Sequence, residues 1–570
     1  MSVLAAAVTA VGCMTAAGCT GARSSGDGAR PSGAPPTGGS STAAPSLSAD
    51  PAAAARALVA RLGDEDLVGQ VLMPYVFGTD ARSVSAAAAE SNRGYAGVAT
   101  PAEMVARYRL GGLILMRRSD DPTGPTNSAT NIESPEQVRR LTVGLQGAAR
   151  ALPAGVPLLI GADQEFGAVT RLREGVTQLP SAMTFGAAAD PALTEAAWRG
   201  AGTELAAVGV NVDFAPVADV LGPAGSAVIG SRSFGADPKV ASGQVAAAVR
   251  GLQGAGVAAT LKHFPGHGHT TADSHSTLPV LAQSRQALDA ADLPPFRAGI
   301  GAGAWLVMSG HLDVRSVEPG VPATFSRAVL TDVLRRQLGF GGVTVTDALT
   351  MEPALRWPPG EAAVRALLAG NDLLLMPPDL AAAQAGLLGA LRSGRLPRAH
   401  LVAAVTRILT VKLRLAGFAQ PDLSLLGAGP HRAAAVAAAT AGVTLLRGAC
   451  GRPLVTGPVQ VTAAGGRQRQ RDWLAAALRA QGAQVVSSGG TVVHLVGYGD
   501  GAADLRADAA VTVAMDTPYV LGRAGSGTLL ATYSSAEASM TGLAAVLVGK
   551  ARPAGRSPVA VAGLPRTACR

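Results

Sequence analysis

Short apolar segments alternate with longer helical patterns from about Leu67 to Leu415. Uninterrupted apolar segments of this kind are typical of strands buried on both faces of a parallel sheet. The eight segments read VGQVLMPYV, LGGLILM, VPLLIGAD, GVNVDFAP, VAATLKHF, AWLVMSGH, GGVTVTDA and NDLLLMP. Helical patterns cover residues 135–150, 190–208, 283–299 and 380–394. Eight strands that alternate with helices predict an α/β protein with a (β/α)8 barrel of the TIM type.

A second, shorter alternation follows a turn-rich bridge after Pro421. Its strand candidates are GVTLLR, VQVTAAG, QVVSS, TVVHLVG, AAVTVAM, GTLLATY and SPVAV, with helices near 468–481 and 535–549. This pattern predicts a smaller α/β sandwich domain. The boundaries that we predict are 51–420 for the barrel and 421–570 for the sandwich.

The first residues resemble an export signal. Residues 1–22 carry no charge and are rich in Ala and Val, and a tract rich in Ser, Gly, Pro and Thr follows until about Ser48. The sequence Ala-Ala-Gly-Cys ends at Cys19 and resembles the processing site of bacterial lipoproteins. We predict a leader over 1–19 with lipidation of Cys19, and a flexible tether over 20–50. A plain secretory signal is the alternative.

Two cysteines, Cys450 and Cys569, lie outside the leader. In an exported protein they can form a disulfide, but their spacing does not distinguish a disulfide from two buried free thiols. Their state stays open at this point.

The net charge of +9 is spread along the chain without a basic block. Proteins that bind nucleic acids usually cluster their cations on one face or along one helix. We therefore expect no nucleic-acid partner. We expect a monomer whose contact with a membrane, if the leader is lipidated, is the lipid anchor alone.

Polar residues stand where several of the predicted barrel strands end. The reactive groups of such barrels lie on the face formed by the carboxyl ends of the strands. We therefore expect the active site there. The residues at these positions are Asp163, Lys262, His263, His311 and Asp347.

The segment from Lys262 to Pro279 contains four of the eight histidines and reads KHFPGHGHTTADSHSTLP. Side chains two residues apart in an extended segment point the same way. Asp273 can therefore hold one nitrogen of His275 while the other nitrogen faces a ligand. Such a dyad suits proton transfer near neutral pH. The alternative is a loop histidine that its neighbour merely caps.

A metal site is the rival interpretation of the same segment, because four imidazoles are near one another in sequence. The spacing H-x3-H-x-H-x5-H matches no common zinc pattern, and the proline and glycines disfavour a two-ligand helix. We expect no metal and no organic cofactor. The four residues are His263, His267, His269 and His275.

Asp347 follows the segment GGVTVT, whose β-branched residues favour a buried strand. A carboxylate at that position can act as a nucleophile, carry a proton or cap a helix. Retaining glycoside hydrolysis needs a nucleophile that faces an acid across the substrate.

Five ordered motifs give the chain its family resemblance. They are DQE-x-G at 163–167, RSFG at 232–235, KHFPGHG at 262–268, DSH at 273–275 and TDALTM at 346–351. The chain resembles glycoside hydrolase family 3, in the branch of β-N-acetylhexosaminidases, from about residue 60 onward. The ATYSSAEAS and ARPAGRSPVAV segments are similar to the end of the second domain of that family.

The resemblance implies an exported exo-acting enzyme that removes terminal β-linked N-acetylglucosamine (GlcNAc) from peptidoglycan or chitin fragments with retention of configuration. It implies that Asp347 is the nucleophile and that His275, assisted by Asp273, is the acid and base. It further implies a set of sugar-binding residues. These are Asp163, Arg171, Arg232, Lys262 and His263.

The chain departs from the family at 165–169, where the common pattern is E-G-G-R-V and this chain has E-F-G-A-V. We expect Phe166 and Ala168 to alter a contact near the sugar or in the barrel wall. The alternative functions are a β-glucosidase or β-xylosidase of the same family, and a lipid-anchored sugar-binding protein without catalysis. Inorganic phosphate in place of water as the acceptor also stays open.

Overall fold

The computed structural model describes residues 50–117, 130–223 and 225–569. The predicted leader, Cys19 and the predicted tether up to residue 49 lie outside the described residues. In the described part of the chain, no helix has both the length and the hydropathy of a membrane span.

Eight short parallel strands form a ring. Strands β2 to β7 are neighbours in chain order in one parallel sheet, and β1 pairs in parallel with β8. Single bridges from Tyr75 to Ile114 and from Val345 to Leu373 join β1 to β2 and β7 to β8. The predicted (β/α)8 barrel is therefore confirmed. The strands are β1 Leu72–Met73, β2 Gly112–Ile114, β3 Leu159–Ala162, β4 Val212–Asp213, β5 Ala258–Phe264, β6 Leu306–Ser309, β7 Val343–Thr346 and β8 Leu374–Leu375.

Helices surround the barrel, and several begin at a capping side chain followed by proline. Ser134, Asp190 and Asp237 each accept hydrogen bonds from the first turn of a helix whose first residue is proline, a position where the missing N–H has no cost. The helices are Pro51–Val59, Asp64–Gln70, Ala86–Ala96, Pro101–Tyr108, Pro135–Arg150, Ala182–Ala188, Pro191–Ala207, Pro238–Gly254, Leu293–Gly301, Pro359–Ala369, Leu380–Arg392 and Arg398–Leu415.

The helix predicted over 283–299 is less regular than expected. It consists of Arg285–Ala287, a π-helical turn at Leu288–Asp292 and the α-helix Leu293–Gly301. Pro294 and Pro295 lack the N–H groups that an α-helix would use at this point, which accounts for the wider turn before them. A second π-helical segment, Ala328–Gln337, lies between β6 and β7.

The second sheet has five strands in the order β9-β13-β12-β11-β10, all parallel except the β9–β13 pair. The predicted strands at 484–488 and 557–561 are reduced to single bridges, because Gly489 starts a turn after the first and Pro558 cannot donate in the second. The strands are β9 Thr444–Arg447, β10 Val459–Ala463, β11 Thr491–Val496, β12 Val511–Ala514 and β13 Thr528–Ala531, with helices Gly429–Gly442, Gln468–Ala480 and Glu537–Leu547.

A buried apolar cluster joins the second sheet to the barrel. Val217 and Leu221, after β4, pack with Leu446, Val496 and Tyr533. The last three belong to the described residues after 420, which contain the second sheet and are called the second region below. This contact places the second sheet beside the loops that follow β3 and β4. The boundary that we predict between residues 420 and 421 stays a prediction.

Candidate active site

Oppositely charged side chains converge where β3 and β5 end. Lys262 Nζ lies 2.8 Å from Asp163 Oδ1 and 2.6 Å from Glu165 Oε1. Arg232 donates to both oxygens of Glu165, at 2.7 and 2.9 Å. Arg171 lies 3.6 Å from the other oxygen of Asp163, and its buried Nε has no hydrogen-bond partner within the described residues. Four of the predicted sugar-binding residues are thus in one network.

The network is ionised despite its burial. Burial alone would raise the pKa of Glu165, but Arg232 and Lys262 outweigh it and hold that pKa below its ordinary value. Burial likewise opposes the charge on Lys262, yet Asp163 and Glu165 raise its pKa. The network therefore presents fixed charges to a ligand at neutral pH.

His263, the fifth predicted sugar-binding residue, is held by Asp219. The carboxylate of Asp219 accepts from His263 Nδ1 at 2.8 Å and from the His263 N–H at 3.0 Å. A carboxylate only accepts, so Nδ1 carries the proton, and Nε2 lies 3.5 Å from an N–H group of Arg232. Asp219 also accepts from the N–H of His267 at 2.7 Å. One carboxylate thus fixes both ends of the turn after β5.

Asp347 follows β7 at the mouth of the barrel and is partly exposed. Its N–H donates to Ser309 O at 3.0 Å, and its Oδ1 accepts from the Ala348 N–H at 2.8 Å. Burial would raise its pKa, but His263, His311, the Ala348 N–H and His275 together lower it. The next helical turn begins only at Glu352 and is not capped by Asp347. The side chain is therefore an ionised carboxylate that caps no helix.

The predicted contact between Asp273 and His275 is present. Asp273 Oδ1 accepts from His275 Nδ1 at 2.7 Å and from the His275 N–H at 2.9 Å. Burial would raise the pKa of Asp273, but these bonds lower it. The His275 side chain is 43% exposed. Its Nε2 faces away from the carboxylate bond and is open to a ligand.

The other two histidines of the segment, His267 and His269, make hydrogen bonds that hold the loop in place. His267 contacts Thr270 Oγ1 at 2.6 Å and Ser274 Oγ at 3.2 Å, and burial lowers its pKa to about 4. His269 Nδ1 lies 2.8 Å from the buried Asp292. The side chains of the four histidines thus have separate hydrogen-bond partners. Within the described residues, no group of three His, Cys, Asp or Glu side chains is arranged to hold a metal.

The departure from the family pattern has a structural counterpart. Phe166 occupies the position of a family glycine and keeps a φ of +65°, a conformation that favours glycine. Its buried ring lies 5.7 Å from that of Trp198, edge to face. Ala168, in place of arginine, lines a cleft of about 1380 Å³ between the barrel and the second region. Arg232 lines the same cleft, which therefore reaches the charged network.

The sequence motifs assign no functional role to three carboxyl groups of the site. Glu165 enters only as a letter of the DQE-x-G motif, and Asp213 and Asp219 belong to no motif. Asp213 is buried in β4 with one oxygen unpartnered among the described residues, and burial raises its pKa well above normal. A charged residue inside the apolar segment GVNVDFAP is the signal that could have found it.

His494, in strand β11 of the second sheet, has a structural role. His494 contacts Thr462 Oγ1 at 2.9 Å and Asp504 O at 2.8 Å inside the sheet, as expected for a satisfied core histidine. Cys450 and Cys569 form a disulfide with a Cα–Cα distance of 5.5 Å, which resolves the alternative that the sequence left open.

Known proteins are similar to the barrel region of the chain. Residues 66–411 match the family described as Glycosyl hydrolase family 3 N terminal domain. The chain is 34% identical over 340 residues to "Beta-hexosaminidase A" of Pseudoalteromonas piscicida, covering 55% of each protein. It is 40% identical over 275 residues to a "Beta-hexosaminidase" of Alkalilimnicola ehrlichii, covering 47% of this chain and 74% of that one. The alignment with the first relative thus spans about half of its length.

A solved structure is similar over most of the chain. It is the glycoside hydrolase family 3 β-N-acetylglucosaminidase from Paenibacillus sp. str. FPU-7, with a TM-score of 0.76 and 32% identity. The match covers 88% of this chain and 99% of that one. The likeness therefore includes the second sheet as well as the barrel.

Proposed function

The chain belongs to glycoside hydrolase family 3, and on that premise we propose that it is an exported, retaining exo-β-N-acetylglucosaminidase. The relatives named as β-hexosaminidases and the β-N-acetylglucosaminidase structure support hydrolysis of β-linked N-acetylhexosamine. The DSH loop supports GlcNAc as the sugar, because the family resemblance implies a histidine acid in this branch, where most other branches of the family use a carboxylate.

The proposed reaction is a double displacement. In the first step a carboxylate oxygen of Asp347 bonds to the anomeric carbon, and the glycosidic bond breaks. His275, in its protonated form, gives its Nε2 proton to the departing oxygen. In the second step His275 takes a proton from water, whose oxygen displaces Asp347 from the sugar. The product keeps the β configuration.

One arrangement carries the proposal: Asp347 stands as an ionised carboxylate at the end of β7, and His275, one of the groups that lower its pKa, is held through Nδ1 by Asp273 at 2.7 Å. The carboxylate engages Nδ1, so the tautomer that remains presents Nε2 for proton transfer. The exposed position of His275 fits a loop that closes over a bound sugar.

The charged network suits a hydroxyl-rich ring. Asp163, Arg171 and Lys262 offer both donors and acceptors, which a sugar with hydroxyl and acetamido groups requires. We assign Arg232 and His263 to the same role. The site takes one terminal sugar, and the rest of the glycan extends toward the cleft.

Export is part of the proposal. The disulfide between Cys450 and Cys569 supports an oxidising compartment. The leader and Cys19 give the route, with attachment to the membrane through a lipid. In that compartment the substrates are fragments of peptidoglycan or chitin. Metabolic lipid labelling of Cys19→Ala against the unchanged chain tests the anchor.

The test of the function compares Asp347→Ala with Asp379→Ala on an aryl β-N-acetylglucosaminide. Asp379 caps the helix Leu380–Arg392 and serves as the matched control. We expect Asp347→Ala to lose at least about 10³-fold in kcat and Asp379→Ala to lose only stability. Full activity of Asp347→Ala would overturn the proposal. A panel of aryl glucosides and xylosides identifies the sugar.

A further inference from the structure

His311 is a buried histidine at the barrel mouth that the proposed reaction does not use. It lies two residues after β6 and has no exposed surface. Its ring stacks on Phe325, with centroids 6.2 Å apart and planes 8° apart, and Phe325 packs in turn on Trp357 at 4.6 Å. The ring is therefore held in one orientation by packing.

The hydrogen bonds of His311 connect it to the residue after Asp347. His311 Nε2 lies 2.9 Å from Ala348 O. A carbonyl oxygen only accepts, so Nε2 carries the proton. The N–H of the same residue, Ala348, donates to Asp347 Oδ1 at 2.8 Å. His311 and the carboxylate of Asp347 thus bind the backbone of one residue, at its carbonyl and its N–H.

The end of β6 holds Asp347 at a further point. Ser309 O accepts the N–H of Asp347 at 3.0 Å. The residues Ser309 and His311 therefore fix the backbone before and after the Asp347 side chain. The Ala348 carbonyl also accepts the Met351 N–H at 3.1 Å, and the Leu349 N–H donates to Leu375 O at 3.0 Å. His311 supplies the side-chain donor in this set, and its loss loosens the backbone that carries the Ala348 N–H.

The second ring nitrogen of His311 is costly to bury. Nδ1 is buried without a hydrogen-bond partner among the described residues. An unsatisfied buried polar atom costs stability, which indicates a ring retained for more than packing. Burial lowers the pKa of His311, although Asp347 opposes this, and the ring stays neutral. The other titratable groups that act on it are His263 and His275.

We infer that His311 is a positioning residue for Asp347: its Nε2–H fixes the Ala348 carbonyl, so that the Ala348 N–H orients the attacking carboxylate. This inference rests on the proposed role of Asp347 as the nucleophile. His311 touches neither the sugar nor the reacting atoms. Its contribution is to the rate of the bond-forming step and not to substrate affinity.

The experiment compares His311→Phe, which keeps a ring on Phe325 but removes the donor, with His311→Gln, whose amide can donate to Ala348 O. His400→Phe is the matched control, because His400 Nε2 also contacts a backbone carbonyl, that of Leu367 at 2.7 Å, within the helical layer. Initial rates on an aryl β-N-acetylglucosaminide are measured from pH 3 to 9, together with the thermal midpoint.

We expect His311→Phe to lower kcat at least about tenfold with KM changed less than about twofold. His311→Gln recovers at least half of the lost activity on a logarithmic scale. The acid limb of the kcat/KM profile moves to higher pH in His311→Phe, because the Ala348 N–H, which lowers the pKa of Asp347, is held less firmly on Oδ1. His400→Phe leaves kcat and the acid limb unchanged.

The inference is overturned if His311→Phe keeps kcat within twofold, or if its loss of kcat comes with an unmoved acid limb and no recovery in His311→Gln. If His311→Phe does not fold, His311→Gln and His311→Asn decide, because asparagine is too short to reach Ala348 O. Equal kcat in these two overturns the inference. An active Asp347→Ala would instead refute the proposed function itself.

Discussion

The carboxylate of Asp273 binds His275 twice, through Nδ1 at 2.7 Å and through the backbone N–H at 2.9 Å. The two bonds set both the tautomer and the position of the imidazole. The dyad is a local structure of the loop and needs no partner from another element. It can therefore move as a unit when the loop closes.

Removal of the acid affects substrates unequally. We expect His275→Ala to lower kcat about 10²- to 10⁴-fold on GlcNAc disaccharides, whose departing oxygen needs a proton. The loss is much smaller on a dinitrophenyl glycoside, whose leaving group departs unprotonated. Kinetics on both substrates check this. An equal loss on both would contradict the role of acid, and Asp273→Asn is expected to show the same selectivity to a smaller extent.

The buried carboxylate of Glu165 is expected to matter for stability. Glu165→Gln leaves Lys262 and Arg232 with less compensation, so the free energy of unfolding falls by about 3 to 5 kcal/mol at pH 7. Urea unfolding followed by circular dichroism measures it. Glu195→Gln, which removes a partly exposed acid that pairs with two arginines, is the control and costs about 1 kcal/mol or less.

The lowered pKa of Glu165 also predicts how the stability difference between the natural protein and Glu165→Gln depends on pH. A lowered folded pKa gives stability that is fully present above the unfolded value, near 4.5, and is lost as the pH falls toward the folded value. The difference in unfolding free energy between the natural protein and Glu165→Gln therefore shrinks below about pH 4.5. A difference that stays constant from pH 7 to 3 would refute this account.

At Phe166 we expect substitution by glycine to destabilise the protein less than substitution by alanine, the reverse of the usual order. Both Phe166→Ala and Phe166→Gly remove the ring that packs on Trp198 and cost about 3 to 5 kcal/mol. At a φ of +65° glycine is unstrained and alanine is not. We expect the glycine variant to be about 1 kcal/mol more stable than the alanine variant. The opposite order in denaturant unfolding would contradict the left-handed conformation.

The disulfide is expected to stabilise the second region without affecting the catalytic rate. It joins residues 119 positions apart. The pair Cys450→Ala and Cys569→Ala should lower the free energy of unfolding by about 2 to 5 kcal/mol. The kcat on an aryl β-N-acetylglucosaminide at 25 °C should not change. Loss of kcat without loss of stability would place these residues in the site, against the structure.

Local features of the chain were predictable and long-range contacts were not. The periodicity of the segments predicts the barrel, because the pattern of apolar residues within each strand and helix reflects which of its faces are buried. The Asp273–His275 contact was predicted since the two are neighbours in the loop. Glu165 pairs with Arg232, 67 positions away, and Asp219 with His263, 44 positions away. No local pattern encodes such pairs.

The contacts of His311 were likewise not predictable from the sequence. Its place at the end of β6 was visible in the sequence, but its bond to Ala348 crosses to the loop after β7. The helix at 283–299 was located correctly, whereas its π-helical turn depends on how Pro294 is accommodated. The predicted domain boundaries and the roles of the site residues stay predictions until they are measured.

The measurement that tests the central claim most directly is the trapping of the glycosyl-enzyme. The protein is incubated with a fluorinated GlcNAc analogue that slows the second step, and its peptides are analysed by mass spectrometry. We predict one sugar per chain, attached to Asp347 in the peptide that contains Thr346 and Ala348, with no adduct in Asp347→Ala. Attachment to another residue, or rapid turnover by Asp347→Ala, would contradict the account.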